Sequence, residues 1–211
     1  MANRSKLKDR SVAVQLIKRA QQTGYRAILL TVDTPSLGPR LNEFRNNFTL
    51  PPGTSFPNPF QEGVEDLKEG DGSRSYVYSI EDVRLAIQHK VHGVIISNHG
   101  GRQLDSVPAT LDVLQEVAPF ARGKIQLAVD GGIRSCSDIF KALALGAQYC
   151  FVGRIPIWGL AYKGEEGVDL AIRILLNDFR MTMTLAGCKS VDEITPDYLS
   201  VLSTEGILCR L

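Results

Sequence analysis

The sequence predicts an α/β fold built on parallel strands. Three observations carry that prediction. Helical and strand-like segments alternate along most of the chain. The strand segments are continuous apolar runs rather than alternating ones, as expected for strands covered on both faces. No tight-turn dipeptide of the hairpin type joins one strand to the next, so the returns must run through the helices.

The elements follow in order. Residues 9–22 carry Val12, Leu16, Ile17 and Ala20 at helical spacing, and Gly24 ends the run. Tyr25 to Val32 is a strand closed by Asp33-Thr34-Pro35, because proline cannot continue a central ladder. A polar region rich in Pro and Gly then fills 36–75 with little periodicity, which is long for a structureless loop inside a compact domain. Ser79, with Asp82 three residues on, opens a helix whose inner face is Val83, Ala86 and Ile87. Strand 93–97 follows, then a helix from Thr110, read as its N-cap, to Ala118. Strand 125–129, helix 137–145 with Gly146 just past its end, and strand 148–152 complete the regular part. A short helix at 156–162 and a longer one at 166–185 precede a tail of short helical or irregular pieces.

Composition narrows the function classes. A chain of 211 residues supports one sizeable core and not two comfortable domains. A net charge of +1 gives no support to a nucleic-acid partner. No apolar run approaches the ~20 residues needed to span a bilayer, and the polar, basic start from Met1 to Arg10 does not resemble a secretory leader. Cys136, Cys150, Cys188 and Cys209 lack metal-type spacing and read as free thiols in a reducing compartment. The final Cys209-Arg210-Leu211 has the small–basic–Leu form of a peroxisomal address; the alternative is a cytoplasmic protein with an ordinary tail.

Four predicted strands each end in a polar or glycine-bearing loop, and every candidate functional residue sits at such an end. In parallel sheets active groups gather at the carboxyl ends of strands. Ser97-Asn98-His99-Gly100-Gly101-Arg102 is the richest of these loops. His99 can move a proton near neutral pH. Arg102 can grip a carboxylate with two parallel hydrogen bonds. A lone histidine there is more often a surface residue; its companions reverse that reading. Asp130-Gly131-Gly132-Ile133-Arg134 ends one strand and Gly153-Arg154 the next. Glycine N–H groups, a following helix N-terminus and two arginines make a phosphate cradle. Asp33 could orient an imidazole such as His99 or simply form a turn before Pro35, and Arg40 could reach the same mouth or stay solvated. Trp158 reads as packing, and His89 and His92 as surface residues at the opposite end from the loops.

Thr31-Val32-Asp33-Thr34-Pro35, the Ser97 to Asp105 stretch, Asp130-Gly131-Gly132-Ile133-Arg134 and Phe151-Val152-Gly153-Arg154 together resemble the FMN-dependent 2-hydroxy acid oxidases and dehydrogenases. That family includes glycolate oxidase, lactate oxidase and the flavin domain of L-lactate dehydrogenase. The resemblance covers about residues 9–203. It implies oxidation of an (S)-2-hydroxy acid to a 2-oxo acid with FMN as cofactor. His99 matches the base that takes a proton from the substrate as a hydride equivalent passes to flavin N5, and Asp33 its partner. Arg102 matches the substrate carboxylate anchor, with Arg40 assisting. Thr31 and Ser97 match flavin contacts. Asp130, Gly131, Gly132, Ile133 and Arg134, with Gly153 and Arg154, match the ribityl and phosphate site. The implied partners are a small 2-hydroxy acid and, as the family is often oligomeric, further copies of the chain; no nucleic acid and no membrane are implied. A phosphate-binding barrel enzyme of the IMP dehydrogenase kind fits less well, because the His-Gly-Gly-Arg loop suits a carboxylate-bearing substrate.

The family fold is a (β/α)8 barrel. The resemblance therefore implies a partial barrel: its C-terminal half, about four parallel strands with flanking helices, in a single domain over 1–211. That domain would be truncated at its N-terminus and would lack a segment near 66–76. Ser75 stands about where the family carries a lysine that stabilises charge on the reduced flavin, and Arg74 is the nearest cation. On this reading the alternative function is a catalytically inactive fragment that keeps the flavin-phosphate half of the site.

Overall fold

A computed structural model describes residues 2–4, 10–32, 41–47, 79–202 and 208–210. Its contacts divide the chain into two units, Met1–Tyr76 and Val77–Leu211.

In the first unit, β1 (Ala2–Arg4) pairs in parallel with β2 (Ile28–Leu30). Between them runs α1 (Arg10–Gln22). Its end is built as the sequence implies: the Thr23 hydroxyl donates to the Arg19 carbonyl at 2.8 Å, and Gly24 takes φ +81°. The strand expected over 25–32 narrows to three residues, and the partner strand at 2–4 was not foreseen. A short α2 (Leu41–Arg45) interrupts the region expected to be a loop.

The second unit holds the main core. It starts with α3 (Ile80–Gln88), where the Ser79 hydroxyl accepts the Asp82 N–H at 3.3 Å and donates to the Asp82 carboxylate at 2.9 Å. Then come β3 (Gly93–Ile96), α4 (Thr110–Ala121), β4 (Gln126–Val129), α5 (Cys136–Ala144), β5 (Tyr149–Cys150) and α6 (Arg154–Ala186). The three strands form one parallel sheet in the order β3-β4-β5. Ile96, Val129, Val83, Val113, Leu114 and Val117 are fully buried between the sheet and its helices. Val83, read from the sequence as the inner face of the Ser79 helix, is among them.

Cys150 ends β5 beside this core. Burial pushes its thiol up to about 11, so it stays protonated and slow to alkylate near neutral pH. Iodoacetamide at pH 7 should leave Cys150 unmodified in the native protein and modify it after denaturation. Peptide mass mapping reads the difference; rapid native labelling would show that the strand end is open.

Two helices were expected across 156–185, and α6 is indeed two segments. Lys163 and Gly164 leave helical geometry, with Gly164 at φ +59°. The segments cross where Gly159 and Gly167, both buried, face each other: a Cβ on either would overlap the other's backbone carbonyl. Gly187, at φ +79°, caps the end. A second apolar cluster of Phe140, Ala144, Cys188 and Ile194 joins α5 to the segment beyond α6, with Tyr198 edge-on to Phe140 at 5.7 Å between centroids. Three expectations are corrected here. Trp158 is not packing: it is 58% exposed, next to exposed Ile157 and Leu160. Thr110 is not an N-cap, because Ala109 takes that place. The tail holds the expected short helical pieces at Val191–Glu193 and Pro196–Tyr198 but also an unexpected strand pair, β6 (Ser200–Leu202) antiparallel with β7 (Leu208–Arg210). No helix among the described residues is long and apolar enough to cross a membrane.

Candidate active site

The register of the parallel sheet decides which loops meet. Ile96 pairs with Val129, and Val129 with Cys150. The Asp130 N–H donates to the Ile96 carbonyl at 3.0 Å, and the Phe151 N–H to the Val129 carbonyl at 2.9 Å. The loops after β3, β4 and β5 therefore open at one end of the sheet, the carboxyl end. A cavity of ≈ 550 Å³ lies at the other end, lined by His92, Arg122, Lys124, Gln126 and Gln148 among others, away from these loops.

The loop after β3 is a tight, hydrogen-bonded turn. The Ser97 hydroxyl accepts the His99 N–H at 3.0 Å. The Gly101 N–H donates to the Asn98 carbonyl at 2.9 Å and to its side-chain oxygen at 3.2 Å. His99, Gly100 and Gly101 have φ of 55°, 64° and 74°. Glycine takes such angles freely, but for His99 the backbone costs about 1–2 kcal/mol. The turn leaves the His99 and Arg102 side chains exposed at the sheet end.

The loop after β4 is anchored from both sides. Gly131 and Gly132 have φ of 82° and 77°. Ile133 is buried, and beyond it the Asp138 carboxylate accepts the Arg134 N–H at 3.0 Å and the Ser135 N–H and hydroxyl at 2.9 Å. Burial works to raise the Asp138 carboxyl, but these hydrogen bonds and the nearby Lys141 outweigh it and hold it below the ordinary value of 3.8. A lowered folded value means that its contribution to stability is present above the unfolded pKa and is lost as pH falls through the folded one. Asp138→Asn should therefore lower the urea midpoint at pH 7 and flatten its decline below about pH 4. An acid limb identical to wild type would show that the carboxylate does not secure this loop.

The loop after β5 is short. Gly153 precedes the first turn of α6 and supplies no side chain to its free N–H groups. Arg154 reaches across to donate from Nη2 to the Gly100 carbonyl, so the third loop is tied to the first. A Cβ at Gly101, Gly132 or Gly153 would meet nothing within 4 Å. At these glycines backbone N–H groups can be approached closely by a ligand.

The structure thus brings together Ser97, His99, Arg102, Asp130, Gly131, Gly132, Ile133, Arg134, Gly153 and Arg154. Thr31 follows β2 in the first unit, where it is partly buried. Asp33 and Arg40 lie outside the described residues, as do Arg74 and Ser75. Sequence reasoning missed Asn98 and Thr110. Thr110 is the buried polar residue of the described core, 3% exposed, and its hydroxyl donates to the Gly131 carbonyl at 3.1 Å. Only the fold reveals that bond, since it spans 21 residues of sequence. Among the described residues no group of three or more His, Cys, Asp or Glu is placed to hold a metal ion.

Comparison with known proteins places the chain in a family. The sequence pattern of the FMN-dependent dehydrogenases matches residues 3–72 and 76–201. The chain belongs to the FMN-dependent dehydrogenase family. Its relatives include the oxidase FUB9 of Fusarium oxysporum f. sp. lycopersici, 47% identical over 232 residues, covering 97% of this chain and 60% of that protein. Glycolate oxidase of Spinacia oleracea is 40% identical, covering 92% and 61% respectively, and 2-hydroxyacid oxidase 1 of Homo sapiens is 40% identical, covering 89% and 60%. Among solved structures, mandelate oxidase with (S)-2-phenylpropionate superposes with a TM-score of 0.78 at 35% identity, over 90% of this chain and 59% of that one. The family member described here therefore spans about 60% of the length of these relatives. Its α/β fold of parallel strands and flanking helices is part of the oxidase barrel. The family match breaks between residues 72 and 76, and the alignment of 232 positions is longer than the 211-residue chain. Relatives thus carry internal positions with no counterpart in this sequence.

FMN is the cofactor of this family. The residues present fit its phosphate end. A phosphate wants backbone N–H donors and cations with room to approach, and Gly132, Gly153, Arg134 and the start of α6 supply these at one end of the sheet.

Proposed function

We propose that this chain is an FMN-dependent oxidoreductase acting on an (S)-2-hydroxy acid, with a 2-oxo acid as product. The observation that carries the reading is the convergence of the His99 and Arg102 loop with two glycine–arginine loops at one end of a parallel sheet. Asp130, Gly131, Gly132, Ile133 and Arg134, with Gly153 and Arg154, hold the phosphate and ribityl part of the cofactor. Thr31 and Ser97 contact its ring system. FMN, when bound, supplies the two-electron acceptor. Arg102 binds the substrate carboxylate through paired hydrogen bonds, with Arg40 assisting. His99 accepts a proton from the substrate on an imidazole nitrogen, with Asp33 stabilising the imidazolium that results. The names of the relatives support a small 2-hydroxy acid as the substrate class. The chain is one domain of this family, lacking a segment near 66–76.

The test is purification followed by flavin absorbance and fluorescence, then anaerobic addition of glycolate or L-lactate. A stoichiometric yellow protein that bleaches with substrate supports the proposal. A colourless protein that takes up no FMN overturns it.

A second reading is favoured by the break in the family match between residues 72 and 76. There the chain is a half-barrel that keeps the flavin-phosphate seat without catalysis. A protein that binds FMN but is not bleached by any 2-hydroxy acid would support it.

A further inference from the structure

We propose that Thr110 and Asn98 are positioning residues that latch the cofactor-phosphate loop to the His99 loop; this rests on the FMN reading above. Three contacts make the latch. First, the Thr110 hydroxyl does not cap its own helix. It donates across to the Gly131 carbonyl at 3.1 Å, from a side chain only 3% exposed. Without that donor the partly buried Gly131 carbonyl would lose its partner on this side. Second, Gly131 is wedged. A Cβ there would lie 2.7 Å from the Asn98 Oδ1 and 3.5 Å from both the Thr110 Oγ1 and Cγ2. The two side chains therefore fill the space beside Gly131 that a side chain of its own would need. Third, the same Asn98 Oδ1 accepts the Gly101 N–H that closes the turn carrying His99.

The path runs from Thr110 to Gly131, from Gly131 to Asn98, and from Asn98 to the His99 turn. The links are hydrogen bonds and close contacts between neighbouring loops, so a shift of one member is passed to the next. A phosphate seated on the glycine loop would hold the turn in register, and a correctly held turn would keep the glycine N–H groups presented. Thr110 touches neither cofactor nor substrate in this scheme. It sets the carbonyl orientation of Gly131, and with it the direction of the following N–H groups.

The experiment uses the full chain and three proteins: wild type, Thr110→Val, which keeps the shape and removes the donor, and Thr110→Ser, which keeps the donor. Two quantities are measured. One is FMN affinity by fluorescence quenching. The other is amide exchange at Gly101, followed by NMR without FMN, with Val117 in the middle of α4 as the reference for overall stability. Thr110→Val should weaken FMN binding about tenfold and speed Gly101 exchange about tenfold beyond any change at Val117. Thr110→Ser should stay within about twofold of wild type in both. Equal acceleration at Gly101 and Val117, unchanged FMN affinity in Thr110→Val, or failure of Thr110→Ser to restore the wild-type values overturns the latch. If wild type takes up no FMN, exchange alone decides: selective acceleration at Gly101 sustains the latch while the FMN reading falls, and its absence overturns both.

Discussion

Replacing His99 with Ala in the FMN-loaded chain is expected to slow flavin reduction by a 2-hydroxy acid by about 10²–10⁴-fold, the usual worth of a positioned general base. The size follows from the lack of a substitute. The chain has three histidines. His89 caps the end of α3, and His92 precedes β3, with its carbonyl accepting the Gln126 N–H at 3.3 Å. Both lie at the amino end of the sheet, while His99 follows its carboxyl end. Neither can reach a substrate held by Arg102. FMN affinity should change little, because the proposed phosphate donors belong to other loops. Rapid-mixing absorbance of the bound flavin measures the effect. Equal rates in wild type and variant would mean that no base operates, which is the outcome the half-barrel reading expects.

Gly167→Ala is expected to cost about 1–3 kcal/mol of stability, as overpacking of a tight contact does. For a chain of this size that is a fall of roughly 3–10 °C in Tm. The two segments of α6 cross with Gly159 and Gly167 in contact, and an added Cβ meets backbone carbonyl rather than the tip of a side chain. No rotamer change relieves such a clash, so the segments must move apart. The first segment begins at Arg154, whose guanidinium is tied to Gly100, and its displacement should loosen the proposed phosphate seat as well. Thermal melts with and without FMN test both parts. A variant with wild-type Tm would show that the crossing has slack.

Much of the fold was legible from local chemistry. Ser79 and Asp82 mark the start of α3 because a hydroxyl and a carboxylate at that spacing satisfy free N–H groups wherever they occur. Gly24 and Gly146 mark ends because the chain must take positive φ there. Thr110 was misread because a threonine before an apolar run looks like a cap. What settled its role is a neighbouring carbonyl that only the folded sheet supplies. The β6–β7 pair and the partner strand at 2–4 were missed for a similar reason: short pairings are decided by what lies alongside, not by their own pattern.

By itself the sequence determined the chemistry available to this protein. It supplies a histidine and an arginine in one loop and two further glycine–arginine loops, each following an apolar strand, because residue type and order along the chain are local properties. The tertiary structure decided how they are joined. Parallel register brings the three loops to one end of the sheet, Arg154 reaches back to Gly100, and Thr110 and Asn98 close on Gly131. Those contacts depend on distances across the sheet, which no sequence spacing encodes.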